Sequence, residues 1–85
     1  MKIGDKVLVK QKEELLKEYA DFIEFDSEGE VEIVVGCEII CDTMFDFCGK
    51  EVTIEAISKE DCVVYTLKED EENWNFTNGM LKEIK

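Results

Sequence analysis

The chain contains no histidine, no arginine and no proline. Without histidine, the side chain that exchanges protons most readily near neutral pH is missing, which excludes Ser-His and Cys-His nucleophilic centres and histidine metal sites. Without arginine, bidentate clamping of a phosphate or carboxylate is excluded as well. No apolar run approaches the roughly 20 residues that span a bilayer. The opening Met1-Lys2-Ile3-Gly4-Asp5 lacks the hydrophobic segment of a secretory signal, so a cytoplasmic protein without a membrane partner is expected. Cations are scarce: ten lysines face 22 carboxylates, for a net charge of −12. Phosphate neutralisation needs clustered cations, so direct nucleic-acid binding is not expected, and the natural complement is a basic protein.

What is present is enough for one small domain, residues 1–85. Such a chain buries only roughly 60–65% of its unfolded surface. Yet 45% of its residues are apolar, including Trp74, two tyrosines and five phenylalanines, which suffices for a thin core. The negative charge is unevenly placed. Residues 1–12 carry +3, residues 13–46 carry −11, residues 47–68 carry −1 and residues 69–85 carry −3.

The hydrophobic period changes along the chain. Ile3, Val7 and Val9 alternate with lysines after Gly4-Asp5, predicting a short opening strand at a sheet edge. From Lys12 to Phe25, Leu15, Leu16, Tyr19, Ala20, Phe22 and Ile23 fall on one helical face, predicting an amphipathic helix of about three turns. Asp26-Ser27-Glu28-Gly29 reads as a turn and Val31–Val35 as a strand. Cys37 to Cys48 reads as a loop with a helical turn around Thr43–Asp46. The second half is a meander. Glu51–Ile57 and Cys62–Leu67 form a hairpin pairing Ala56 with Val63 and Ile54 with Tyr65, and a turn follows at Glu69–Asn73. Trp74 and Phe76 then share a short strand, Thr77–Met80 makes one helical turn, and Leu81–Ile84 closes the chain.

This order of parts resembles an SH3-like barrel of about five strands, with a helix-containing insertion at about 11–46 after the first strand. More narrowly, Cys48-Gly49-Lys50-Glu51-Val52-Thr53-Ile54, Glu69-Asp70, Asn73-Trp74-Asn75-Phe76-Thr77 and Met80-Leu81 look like a group of small proteins encoded by phages and prophages of low-GC Gram-positive bacteria. The resemblance covers residues 1–12 and 47–85. It implies a mainly β (α+β) fold and a mobile-element origin, with no catalytic residues to carry over. Small acidic phage proteins are common among inhibitors of bacterial defence systems, anti-CRISPR proteins included, which makes a host nuclease a candidate partner.

The acidic segment is the leading candidate site. Glu13, Glu14, Glu18, Asp21, Glu24, Asp26, Glu28, Glu30 and Glu32, spread over a helix and hairpin, could imitate a phosphate array and occupy a basic groove. A solvated face that only maintains solubility has the same composition, and charge alone does not separate the two. Cys37, Cys41 and Cys48 with Asp42 or Asp46 could hold zinc, although their spacing lacks paired C-x2-C knuckles. A reducing cytoplasm makes disulfides unexpected and leaves small buried thiols as the other reading. Asp26, Glu28 and Glu30 around Gly29 do not make a calcium loop, because the acids are out of register with the required glycine. Trp74 with Tyr65 and Phe76 could line a peptide groove or simply anchor the core.

Overall fold

The computed structural model describes residues 1–71 and 73–84. They form a mainly β domain of two antiparallel sheets and one short helix. In chain order these are β1 (Lys6–Val9), α1 (Lys12–Glu18), β2 (Ile23–Phe25), β3 (Val31–Val35), β4 (Glu38–Ile40), β5 (Glu51–Ser58), β6 (Val64–Leu67), β7 (Phe76–Thr77) and β8 (Leu81–Glu83). The larger sheet has the order β7-β6-β5-β1-β8, and the smaller one β2-β3-β4.

Three sequence expectations are corrected by this arrangement. The opening strand is interior: Val7 pairs with Val52 of β5 and Val9 with Leu81 of β8. A period of two identifies a strand but not its neighbours, and the chain's end returns to cover this one. The long helix is also cut short. α1 spans seven residues, the backbone leaves helical geometry at Tyr19, and a 3-10 turn over Ala20–Phe22 leads into β2. Ile23 and Phe25 are β-branched and aromatic, and they find partners in Ile33 and Val31 across the Asp26–Gly29 turn. Strand pairing there outweighs a modest helical preference. Finally, the β5–β6 hairpin has a different register. Ile54 faces Leu67 and Ile57 faces Tyr65, with an irregularity between Ile54 and Ala56. The β6 strand begins only at Val64, so Cys62 lies in the preceding loop. Glu72 of the expected Glu69–Asn73 turn lies outside the described residues.

The two sheets share one core. Ile33, Val35 and Ile40 of the small sheet meet Val7, Val9, Val52, Ile54, Leu67 and Phe76 of the large one, all fully buried, and Phe47 meets the Phe76 ring edge-on with centroids 6.2 Å apart. A seven-residue helix is marginal by itself. α1 is held by Leu15, which is fully buried, and by ion pairs to the large sheet, Glu18 to Lys10 at 2.9 Å and Glu14 to Lys82 at 3.2 Å. The buried Thr77 hydroxyl donates to the Val35 carbonyl at 2.9 Å, tying the end of β3 to β7.

Covalent cross-links were not expected, yet Cys37 and Cys62 form a disulfide with their Cα atoms 6.7 Å apart. The cause is local at one end and tertiary at the other. Val35 pairs with Glu38, leaving Gly36-Cys37 as a two-residue turn, and Gly36 has the positive φ of 71° that this tight connection requires at its first position. The β5–β6 loop then brings Cys62 over that turn. The inference from a reducing compartment to free thiols therefore does not hold for this pair.

Asp70, beside the 3-10 turn Lys68–Asp70, is a buried carboxylate whose side chain accepts the Trp74 backbone N–H at 2.9 Å. Burial pushes its pKa above the ordinary range, more than that hydrogen bond pulls it down, and the charge of Glu71 adds to the rise. The folded state therefore holds the proton more tightly than the unfolded chain, so this contribution is fully present below the ordinary carboxylate pKa and is lost as pH rises through the raised one. Asp70→Asn keeps the acceptor for Trp74 and removes the charge. It is expected to raise the melting temperature at pH 7 and to leave it unchanged in strong acid, a comparison made by thermal unfolding across pH.

Candidate interaction surface

The nine carboxylates singled out from sequence do not form one continuous patch. Glu13, Glu14 and Glu18 sit on α1, and two of these are committed within the molecule. Glu18 holds Lys10, and Glu14 holds Lys82, whose hydrogen bond and charge keep the Glu14 carboxyl below its usual pKa. Asp21 lies in the 3-10 turn between α1 and β2, and Glu28 lies in the β2–β3 turn, both exposed. The other four, Glu24, Asp26, Glu30 and Glu32, gather on the hairpin.

Strand periodicity explains that gathering. Side chains two residues apart along a strand share a face. Ile23, Ile33, Val35 and Ile40 point toward the core, so Glu24 on β2 and Glu32 and Val34 on β3 point outward. Register then places Glu24 directly across from Glu32 and Val34 across from Ile39 of β4. At the turn, the Asp26 N–H donates to the Glu30 carbonyl, continuing the same two columns. Asp26 has a structural task too, since its carboxylate accepts the N–H groups of Glu28 and Glu30 at 2.8 and 2.9 Å. Among the described residues none of these four carboxylates is in an ion pair. Like charges placed directly opposite across strands are destabilising. This face therefore carries an electrostatic cost that the fold does not relieve.

An apolar row lies beside the acidic one. Phe22, at the end of the 3-10 turn that leads into β2, is 57% exposed, and Ile39, across from Val34, is 40% exposed. Tyr19, Phe22, Val34 and Gly36 line a groove of about 260 Å3. Past Tyr19 and Gly36 a second depression of about 250 Å3 runs over Val35, the Cys37–Cys62 disulfide and Gly79. Among the described residues no charged side chain lines either one. Gly79 is required here: a Cβ would strike the Tyr19 hydroxyl and come within 2.7 Å of Val35. In sequence the stripe Leu15, Tyr19, Phe22 and Ile23 reads as the core face of a helix, with a groove-filling contact to a partner as its other reading; the structure buries Leu15 and leaves Phe22 exposed.

The cysteine set behaves differently from expectation. Cys37 is taken by the disulfide and cannot join Cys41 and Cys48 in a three-thiolate site. Among the described residues no group of three Cys, Asp or Glu side chains is disposed to hold a metal ion. Burial first, and then the charges of Glu32, Asp42 and Asp26, hold the Cys41 thiol above its ordinary pKa. Burial does the same at Cys48, against a smaller opposing effect of Lys12. Both thiols stay protonated at neutral pH, the unreactive form.

The aromatic face is partly closed: Trp74 and Asn75 line, with Ile39, Cys41 and Met44, a depression of about 280 Å3. Tyr65 and Phe76 are buried, and the half-buried Trp74 donates its ring N–H to the Thr43 hydroxyl at 3.1 Å, joining the β6–β7 connection to the 3-10 turn Asp42–Phe47. Trp74 thus packs against the 3-10 turn on one side and lines that depression on the other. No helix among the described residues is long and apolar enough to cross a membrane. Comparison with protein-family models, curated proteins and solved structures finds no match to this chain.

Proposed function

We propose that this chain is a non-catalytic binding protein that places the carboxylate face of β2 and β3 on a lysine- and arginine-rich surface of a partner protein in a host cell cytoplasm. The biological setting that goes with this reading is a phage or prophage inhibitor of a nucleic-acid-binding defence enzyme, such as a CRISPR effector nuclease, held in the groove that would otherwise take phosphates. The observation that carries it is the pairing of Glu24 with Glu32, flanked by Asp26 and Glu30, on the outer sheet face, none of the four in an ion pair among the described residues. A cationic partner removes the mutual repulsion on binding, which makes association both favourable and fast at low salt.

An SH3-like barrel suits this role, with the small sheet as an insertion after the first strand. The reading is supported by the strand order, in which β1 lies between the first strand of a three-strand meander and the last strand of the chain, and by the 3-10 turn Asn78–Met80 just before that last strand. The sheet is open, with β7 and β8 at its two edges.

The test is retention of purified basic nucleases of a Gram-positive host on the immobilised chain across a salt series, with nucleic acid as competitor. Retention that falls steeply with salt, is displaced by nucleic acid and is lost when Glu24, Asp26, Glu30 and Glu32 become amides supports the reading. Retention unaffected by those four changes, or no retention at low ionic strength, removes it.

A further inference from the structure

We infer that the outer face of β2–β3–β4 is a two-zone docking surface for a cationic protein segment bearing one large apolar side chain. The carboxylates of Glu24, Asp26, Glu30 and Glu32 take the segment's lysines or arginines, and the groove at Tyr19, Phe22 and Val34 takes the apolar side chain. This deepens the proposed function and rests on it, because it states what chemistry the basic partner must present.

The geometry comes from register. Along the small sheet the outward positions form successive rows, Val34 with Ile39 of β4, then Glu24 with Glu32, then Asp26 with Glu30, and Phe22 of the preceding 3-10 turn lines the groove together with Val34. Rows two residues apart are separated by about 6.7 Å and neighbouring strands by about 4.8 Å. An extended segment crossing the rows therefore meets an apolar contact and then two pairs of carboxylates within about 14 Å. On the opposite face of the same strands Ile33, Val35 and Ile40 are fully buried, while Phe25 at the β2–β3 turn end is exposed.

The apolar zone is built before anything binds. The Cys37–Cys62 disulfide and the Thr77–Val35 hydrogen bond fix the end of β3, and Gly79 leaves the space in which the Tyr19 hydroxyl lies. A preformed wall lowers the ordering cost of association. Phe22 and Ile39 remain 57% and 40% exposed and take no part in the core.

Charge decides the occupant. A second copy of this chain would bring another row of four carboxylates against the first and add to a net charge of −12, burying like charges without partners. An anionic membrane or a nucleic acid meets the same repulsion. A segment with lysine or arginine beside an aromatic or aliphatic residue satisfies both zones at once.

The experiment titrates the oxidised, isotopically labelled chain with two probes at low ionic strength: an oligolysine peptide and the same peptide with one central tryptophan. Amide shifts are followed by NMR. The tryptophan peptide is expected to bind about tenfold more tightly, about 1.4 kcal/mol, with shifts reaching Phe22, Val34 and Gly36. Phe22→Ser with Ile39→Ser should erase that gain and leave oligolysine binding as it was. Both side chains are exposed, and an unchanged melting temperature verifies that the double variant folds.

Equal affinity for the two peptides, or a gain that survives the serine substitutions, overturns the two-zone surface while leaving the carboxylate reading intact. Failure of both peptides to bind overturns the two together. Concentration-dependent dimerisation abolished by the same serine substitutions would make a second copy the occupant and overturn the choice of a cationic segment.

Discussion

Cys37→Ser with Cys62→Ser is expected to melt roughly 15–25 °C below the oxidised chain, a loss of about 3.5 kcal/mol. The cross-link joins residues 25 apart in sequence, and closing a loop of that size removes about this much conformational freedom from the unfolded chain. Few stabilising resources stand in reserve. An 85-residue domain has a thin core and a total stability of only about 5–15 kcal/mol, so the disulfide is a large share of it. Its position adds to the effect, because it pins the β3–β4 turn to the β5–β6 loop and so holds the two sheets together at one end. Dithiothreitol acting on the native protein should reproduce the variant's melting temperature. Thiol titration of the unreduced, unfolded chain should find two free cysteines, Cys41 and Cys48. Four reactive thiols, or a shift of only a few degrees, would count against the cross-link.

The second large effect is on binding. Glu32→Lys is expected to weaken association with a basic partner by a hundredfold or more, about 2.7 kcal/mol. Reversal removes an attraction and creates a repulsion at the centre of the carboxylate rows, where close charge pairs at interfaces couple by about 1.5–7 kcal/mol. The same substitution should stabilise the free protein by about 0.2–1 kcal/mol, because it converts the Glu24–Glu32 repulsion into an opposite-charge cross-strand pair. Opposite signs for stability and affinity distinguish a face retained for a partner from one retained for solubility. Reversal of Glu18 provides the contrast. It breaks the ion pair with Lys10 that holds α1 and should lower stability, with a smaller change in affinity. Calorimetry of binding and urea unfolding of both variants supply the comparison.

Much of this was legible in the residues themselves. Alternation marked Val31–Val35, Glu51–Ile57 and the β6 strand, and each lies within a residue or two of its place in the fold. The Thr43–Asp46 helical turn lies inside Asp42–Phe47, and the turn expected over Thr77–Met80 is a 3-10 turn over Asn78–Met80, with Thr77 in β7. Segment 20–25 was misassigned because Tyr19, Phe22 and Ile23 suit a helical stripe as well as a strand, and periodicity over so few residues does not separate them. β4 was missed for a related reason. Glu38-Ile39-Ile40 is three residues long, and its pairing with Val34 and Ile33 is what makes it a strand.

The mainly β character, the concentration of charge in residues 13–46 and the exclusion of histidine and arginine chemistry all follow from composition and local periodicity, which need no knowledge of neighbours in space. Which carboxylates are committed to ion pairs and which are left over depends instead on long-range packing. Lys82 reaches Glu14 across 68 positions of chain, Cys62 reaches Cys37 across 25, and register sets Glu24 against Glu32. Each of these depends on which strands lie side by side. That adjacency is fixed by the burial of one shared core, in which a one-residue slip would send every outward carboxylate inward.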